Sequence, residues 1–276
     1  YYAQCVLIHI NEEEPICFVR SQDGGGAYIK TYLQDKNIIE YDEKYIHTWP
    51  LHPYQYLAEI IKKKKWDNLN IGLEMDSHYF TAFCYETIKN NLPNAKLKDA
   101  ERLVNWVRVV KSNKEIRLIQ SAARIVESAM KTAFKCINPG VRQCDAVADI
   151  QKALFNGTKE FGGDYPSIAT LLPTGKGTSA AHLTHTDEKF VSGEATIIEI
   201  AGAYKRYHCP MARTVLLGEK NQKKIDTMKA TNEALDAGIE ATKPGNTVDD
   251  VAQKFWGVLD KYKIKKDSRT GYSIGI

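Results

Sequence analysis

Residues 194–218 read EATIIEIAGAYKRYHCPMARTVLLG. Two runs rich in Val, Ile, Thr and Tyr, 195–203 and 207–217, flank a short polar interruption at 204–206. That pattern predicts a β-hairpin. Glu199, His208 and Arg213 stand inside these apolar arms. A carboxylate in the middle of IIEIAG is costly to bury unless it is paired, coordinated or used, so Glu199 is the first candidate for chemistry.

Outward from the hairpin, the chain reads as a globular protein long enough for two domains. Its 276 residues are 43% hydrophobic and 26% charged, a composition that is not that of a disordered chain. A net charge of +4 is too small to argue for nucleic acid. The lysine run at 62–65 closes an expected helix, where positive charge complements the helix dipole. No apolar run reaches the ~18 residues of a membrane span. Cys5, Cys17, Cys84, Cys136, Cys144 and Cys209 show no CxxC spacing and lie in apolar or helical surroundings. They read as reduced thiols of a cytoplasmic protein rather than a disulfide framework. The sequence starts at Tyr1-Tyr2 without Met and stops inside GYSIGI, which reads as the start of a strand; both ends are expected to be cut.

The first hundred residues alternate strand-like and helix-like stretches. A hairpin is expected over 4–10 and 16–21, helices over 27–34, 54–65 and 79–91, and strands over 69–74 and 95–99. This is the rhythm of a small α/β domain. Ser112 with Glu115 three residues on is a capping-box signature and opens a helix to about residue 135. The boundary falls near Val110, giving domains 1–109 and 110–276. Beyond it the pattern predicts a helix over 143–160, strands over 167–172 and 195–217, and helices over 220–241 and 247–262. INPGVRQCDAVADI at 137–150 is echoed by TKPGNTVDDVAQKF at 242–255, with Asp145 and Asp250 in register. Two pseudo-symmetric halves around a shared site are the expectation.

His182, in SAAHLTH, precedes Glu199 by 17 residues and follows the glycine-rich PTGKGT at 173–178. Such a loop lets backbone approach a ligand. It lacks the GxxxxGK[ST] spacing of a phosphate cradle.

The order of a capped helix at VVKSNKEI, a His, a hairpin ending in ARTV, a Pro-Gly-turn helix and a GxxIG run resembles the pita-bread peptidase family. That family contains methionine and proline aminopeptidases, prolidases and creatinase. The resemblance covers essentially the whole chain and implies an α/β (α+β) fold: a creatinase-like N-terminal domain, then a pseudo-two-fold catalytic domain. In the metal-dependent members an Asp ligand lies on the first hairpin arm. A second lies eleven residues on, three before the Arg of the Arg-Thr pair. Arg213 sets the register, so these positions are Glu199 and Pro210 here, and the family's third ligand, the His of GHGIG, is Tyr272. Two further carboxylate positions of the family fall beyond residue 276. Proline offers no donor atom, tyrosine is an uncommon ligand for the metals of this fold, and one Glu cannot bridge two ions. The expectation is therefore a hydrolase with no metal and no cofactor.

Among metal-free members, GGDYPSI, LPTG followed by AAHLTH, EIAGAYKRYHCPMARTV and KDSRTGYSIGI are similar to the ectoine hydrolases. His185 departs from the Trp expected after His-Leu-Thr. This resemblance implies opening of a cyclic amidine carboxylate to N-acetyl-2,4-diaminobutyrate, with Glu199 as nucleophile or base and His182 as proton shuttle. Counting by two along the second arm puts His208, Pro210 and Ala212 on one face, so His208 is expected to line the pocket. Tyr272 and Tyr165 are further substrate-binding candidates, Arg206 a possible partner for a carboxylate, and Arg213 a brace for the hairpin. A small-molecule substrate, a homodimer, and no nucleic-acid or membrane partner complete the reading. The alternatives are another creatinase-type C–N hydrolase, a metal-dependent Xaa-Pro peptidase or lyase, and a catalytically inactive binding module.

Overall fold

The alternating stretches of the first hundred residues form a small α/β unit in a computed structural model that describes residues 2–218 and 220–276. The chain divides into Tyr1–Val107 and Arg108–Ile276. In the first unit, β1 (Cys5–Leu7) pairs antiparallel with β2 (Ile16–Arg20). The helix α1 (Ser21–Lys30) then leads to β3 (Ile38–Tyr41), parallel to β2. The helix expected over 27–34 thus starts six residues earlier and takes in Gly24, Gly25 and Gly26. The chain leaves β2 directly into helix, and this tertiary context outweighs the poor propensity of three glycines.

The next helix, α2 (Pro53–Lys63), opens on a cap: His52 Nδ1 accepts from the Tyr54 amide (3.1 Å) and Gln55 Oε1 from the His52 amide (3.2 Å). Its Tyr54, Leu57, Ile60 and Ile61 pack with Phe18 and Tyr41 to form the core of this unit. Then α3 (Ala82–Asn91), capped by Thr81, crosses between β4 (Asn70–Leu73) and β5 (Lys96–Asp99), which pair in parallel. A further helix, α4 (Leu103–Val109), forms where no element was expected.

In the second unit, α5 (Asn113–Cys136) carries the capping box read from the sequence. Glu115 Oε2 accepts from the Ser112 amide (2.7 Å), and Ser112 Oγ accepts from the Glu115 amide (3.3 Å). Tyr207 donates its hydroxyl to Glu115 Oε1 (3.0 Å), tying the helix start to the hairpin. These bonds, those from Ser112 foremost, hold the Glu115 carboxyl below its ordinary value.

The internal echo is structural. After α5, Pro139-Gly140 turns the chain into α6 (Gln143–Asn156), and after α7 (Gln222–Ala241), Pro244-Gly245 turns it into α8 (Val248–Lys261). Gly140 and Gly245 both adopt positive φ, 88° and 96°, a conformation that favours glycine at a helix exit. The N-caps, Arg142 and Thr247, keep the same spacing. The registered acids differ in use: Asp145 pairs with Arg142 (2.6 Å), whereas Asp250 completes a capping box with Thr247. Ahead of α7, the quoted stretch forms a hairpin of β6 (Ala195–Tyr204) and β7 (Tyr207–Leu216). Lys205 and Arg206 make its two-residue turn, with φ of 47° and 72°, the left-handed pair that matches strand twist in tight hairpins.

One face of the hairpin lies on α5. Ile198 and Ile200 join Ile125, Val126, Ala129 and Met130 in the core. Contact is closest at Gly202, where a Cβ would overlap the Ala122 carbonyl oxygen and stand 2.7 Å from the Val126 amide nitrogen. The expected strand over 167–172 is not formed. Isolated bridges at Leu171–Glu199 and Thr174–Thr196 take its place. The helix expected to reach 160 stops at Asn156, because Gly157 turns the chain at φ 64°. GYSIGI forms no strand either, although the Gly275 carbonyl accepts from the His208 amide (2.7 Å).

Candidate active site

Register along the hairpin sorts its residues into two faces. Glu199 lies opposite Ala212, Ala201 opposite Pro210, and Ala203 opposite His208. Directly opposed residues of an antiparallel pair share a face, so these six stand together on the side away from α5. The period-two count that grouped His208, Pro210 and Ala212 therefore matches the ladder. Ala212 also lines a cavity of about 1200 Å³ between the hairpin and α7, with Ile197, Thr214, Met228 and Leu235 in its walls.

Glu199 is half-buried rather than buried, which corrects the opening expectation. The α5 face is filled by the isoleucines, and Glu199 points to the other side, where water reaches it. Its backbone is tightly held, exchanging two 3.0 Å hydrogen bonds with Leu171. Its side chain makes no hydrogen bond or ion pair among the described residues. The carboxylate is rigidly mounted and chemically free.

Asp164 to Ser167, within GGDYPSI, clasps the hairpin tip. The Asp164 amide donates to the Ala203 carbonyl (2.8 Å), and Asp164 Oδ2 accepts from the Arg206 amide (3.0 Å). The Arg206 guanidinium stacks 4.6 Å from the centre of the Tyr165 ring. The Ser167 amide donates to His208 Nε2 (3.0 Å), with Ser167 Oγ at 3.1 Å from the same nitrogen. Tyr165, Arg206 and His208 are thus brought together, although Tyr165 is 64% exposed and Arg206 lies on the exposed turn. Ser167 and Asp164 were missed by sequence reasoning. They sit in a motif quoted for its resemblance, and only long-range pairing with 206 and 208 gives them a role.

The remaining candidates are more loosely placed. His182 is exposed on the loop after residues 175–179, and no hydrogen bond or ion pair joins it to Glu199 among the described residues. Its neighbour Leu183 accepts from the Leu172 amide (3.1 Å), one residue from the Leu171–Glu199 bridge. Tyr272 is 63% exposed, with the Arg269 guanidinium 5.3 Å from its ring centre. Arg213 is not a brace across the hairpin: its guanidinium turns back onto the Ala212 carbonyl (2.7 Å) of its own strand.

The donors on this face do not suit a metal pair. Glu199 is its one carboxylate, Pro210 has no side-chain donor, and His208 Nε2 is taken by Ser167. Among the described residues, no group of three or more His, Cys, Asp and Glu side chains is placed to hold an ion.

A capped helix laid across a β-hairpin, followed by a second helix pair at the same spacing and preceded by a small α/β unit, defines the pita-bread architecture with a creatinase-type N-terminal domain. The solved structures of a prolidase from Thermococcus sibiricus and an Xaa-Pro dipeptidase from Bacillus anthracis share this fold. Their TM-scores are 0.81 and 0.80 at 17% and 19% identity, covering 99% and 100% of this chain and 71% and 72% of theirs. Residues 117–276 match the metallopeptidase family M24, and residues 1–110 match the creatinase/prolidase N-terminal domain. The chain belongs to family M24. It is 39% identical to the ectoine hydrolase of Halomonas elongata over all of this chain and 71% of that one. To the Xaa-Pro dipeptidase of Pyrococcus furiosus it is 24% identical over 86% of this chain and 68% of that one. With these relatives it is a hydrolase of carbon–nitrogen bonds. No helix among the described residues is long and apolar enough to cross a membrane.

Proposed function

We propose that this chain opens the ring of ectoine, a cyclic amidine carboxylate, to N-acetyl-2,4-diaminobutyrate without a metal ion. The observation that carries this reading is the hairpin face on which Glu199 stands as the one carboxylate, with Pro210 diagonally across the ladder. A peptide carbonyl is a weak electrophile and needs strong polarisation. The carbon between the two nitrogens of an amidinium already carries positive charge, so a single anion beside it can serve. The Halomonas elongata relative supports the choice of substrate.

In this mechanism Glu199 pairs with the amidinium and supplies the attack, either directly or by deprotonating a water. One ring C–N bond breaks as the leaving nitrogen takes a proton from His182. Water supplies the new acyl oxygen, and the ring carbon with its methyl becomes the acetyl group. His182 suits proton transfer because its ring nitrogens are unengaged among the described residues. His208, Tyr272 and Tyr165 bind the substrate. The resemblance also carries a homodimer in the cytoplasm to this reading, with no nucleic-acid or membrane partner.

The test is incubation with ectoine and, separately, with an Xaa-Pro dipeptide, each followed by proton NMR. Ectoine should be consumed with appearance of an acetyl methyl signal, and the dipeptide should persist. Dipeptide cleavage with ectoine intact overturns the reading.

A further inference from the structure

His208 has two nitrogens in opposite circumstances. Nε2 faces the Ser167 amide at 3.0 Å and its hydroxyl at 3.1 Å. Nδ1 is enclosed and has no hydrogen-bond partner. A backbone N–H can only donate, so Nε2 receives that bond through its lone pair. In the neutral ring the proton then belongs on Nδ1. Ser167 thereby fixes the tautomer, while the His208 backbone is set opposite Ala203 in the ladder and by the Gly275 carbonyl on its amide (2.7 Å). The result is a donor of fixed orientation with nothing to donate to. An unsatisfied enclosed donor is unfavourable enough that native structures seldom keep one without a use.

We infer that Ser167 is a positioning residue that locks His208 as an Nδ1–H donor, and that this donor receives the substrate's carboxylate. The inference rests on the ectoine reading for its acceptor. A protonated cyclic amidine offers only N–H donors from its ring, so the carboxylate is the one group on that substrate able to accept. Glu199 and His208 share a face and stand two ladder pairs apart, Glu199–Ala212 and Ala203–His208 being separated by Ala201–Pro210. At about 3.3 Å of rise per residue, four residues put their strand positions roughly 13 Å apart at the backbone. Both side chains project from the same face of the hairpin. Acceptor at one position and donor at the other suit a zwitterion that carries an amidinium and a carboxylate on one small ring. Because Nδ1 is enclosed, whatever covers it must move before the substrate's carboxylate reaches the proton.

The lock is read directly from the long-range proton–nitrogen NMR spectrum of the nitrogen-15-labelled, ligand-free protein, with His208 assigned by the signal lost in His208→Asn. The Nδ1–H tautomer is expected, and a signature that places a proton on Nε2 overturns the lock. Substitution then tests the use of the donor. Asn puts an amide N–H where Nδ1–H stands, whereas Gln puts its polar end at the Nε2 position. His208→Asn should keep KM for ectoine within about threefold of wild type. His208→Gln and His208→Ala should raise KM on the order of 10- to 100-fold with a smaller change in kcat. Ser167→Ala retains the backbone donor and should change KM by less than about threefold. Equal KM for the Asn and Gln variants overturns the carboxylate contact. An Nδ1–H spectrum with no ectoine turnover by wild type refutes the substrate and the carboxylate partner together, and leaves the Ser167 lock standing.

Discussion

Glu199→Gln should lower ring opening by roughly 10²- to 10⁴-fold, the range over which a single positioned acid–base group contributes. The amide preserves shape and polarity and removes both the negative charge and the nucleophilic oxygen. The fold should tolerate the change. Glu199 is half-buried, its side chain has no hydrogen bond or ion pair to lose among the described residues, and its strand position is set by backbone bonds to Leu171. Thermal unfolding followed by circular dichroism should therefore match wild type within a few degrees. Turnover within tenfold of wild type by a folded Glu199→Gln protein contradicts the assignment.

A large effect on stability is expected at Gly202. A methyl group there would overlap the Ala122 carbonyl oxygen, stand 2.7 Å from the Val126 amide nitrogen and 3.1 Å from Val126 Cβ. Two of these three atoms are helix backbone, which cannot retreat without breaking the α5 ladder. The hairpin must instead lift from the helix and surrender the packing of Ile198 and Ile200. Overpacking of this kind costs up to about 3 kcal/mol, and more when backbone is the obstacle, so Gly202→Ala should lose about 3 kcal/mol or more in urea unfolding. Gly257 in α8 is the control, since a Cβ there meets nothing within 4 Å. Gly257→Ala should be neutral or stabilising by up to about 1 kcal/mol. A Gly202→Ala protein within about 0.5 kcal/mol of wild type contradicts the close docking of hairpin on helix. Because β6 carries Glu199, loss of that docking should also remove activity.

Features set by short-range rules were legible in the sequence. The capping box of Ser112 and Glu115 needs only three residues, and the Pro-Gly exits at 139–140 and 244–245 only two. Alternation along the second arm grouped His208, Pro210 and Ala212 before their ladder was known, whereas Glu199 was joined to Pro210 only through the family resemblance. Legibility failed where distant chain decides. The glycines of α1 argue against helix locally and yield to the strand that feeds them. Residues 167–172 have strand composition, yet only isolated bridges at Leu171–Glu199 and Thr174–Thr196 form along this stretch, because the clasp at Asp164 and Ser167 holds the preceding residues to the hairpin tip. Burial of Glu199 was inferred from its apolar sequence neighbours. In a strand those neighbours point to the opposite face, so IIEIAG described the environment of Ile198 and Ile200 rather than that of the carboxylate. Ser167 illustrates the same limit: serine in a loop carries no signal until His208, 41 residues away, is seen against it.

The account stands on catalysis by one carboxylate without a metal, and a metal titration tests this most directly. Protein dialysed against a chelator and then against metal-free buffer should open ectoine at the untreated rate, with no gain on addition of Mn²⁺ or Zn²⁺. Activity that disappears with the chelator and returns with either ion would contradict the account.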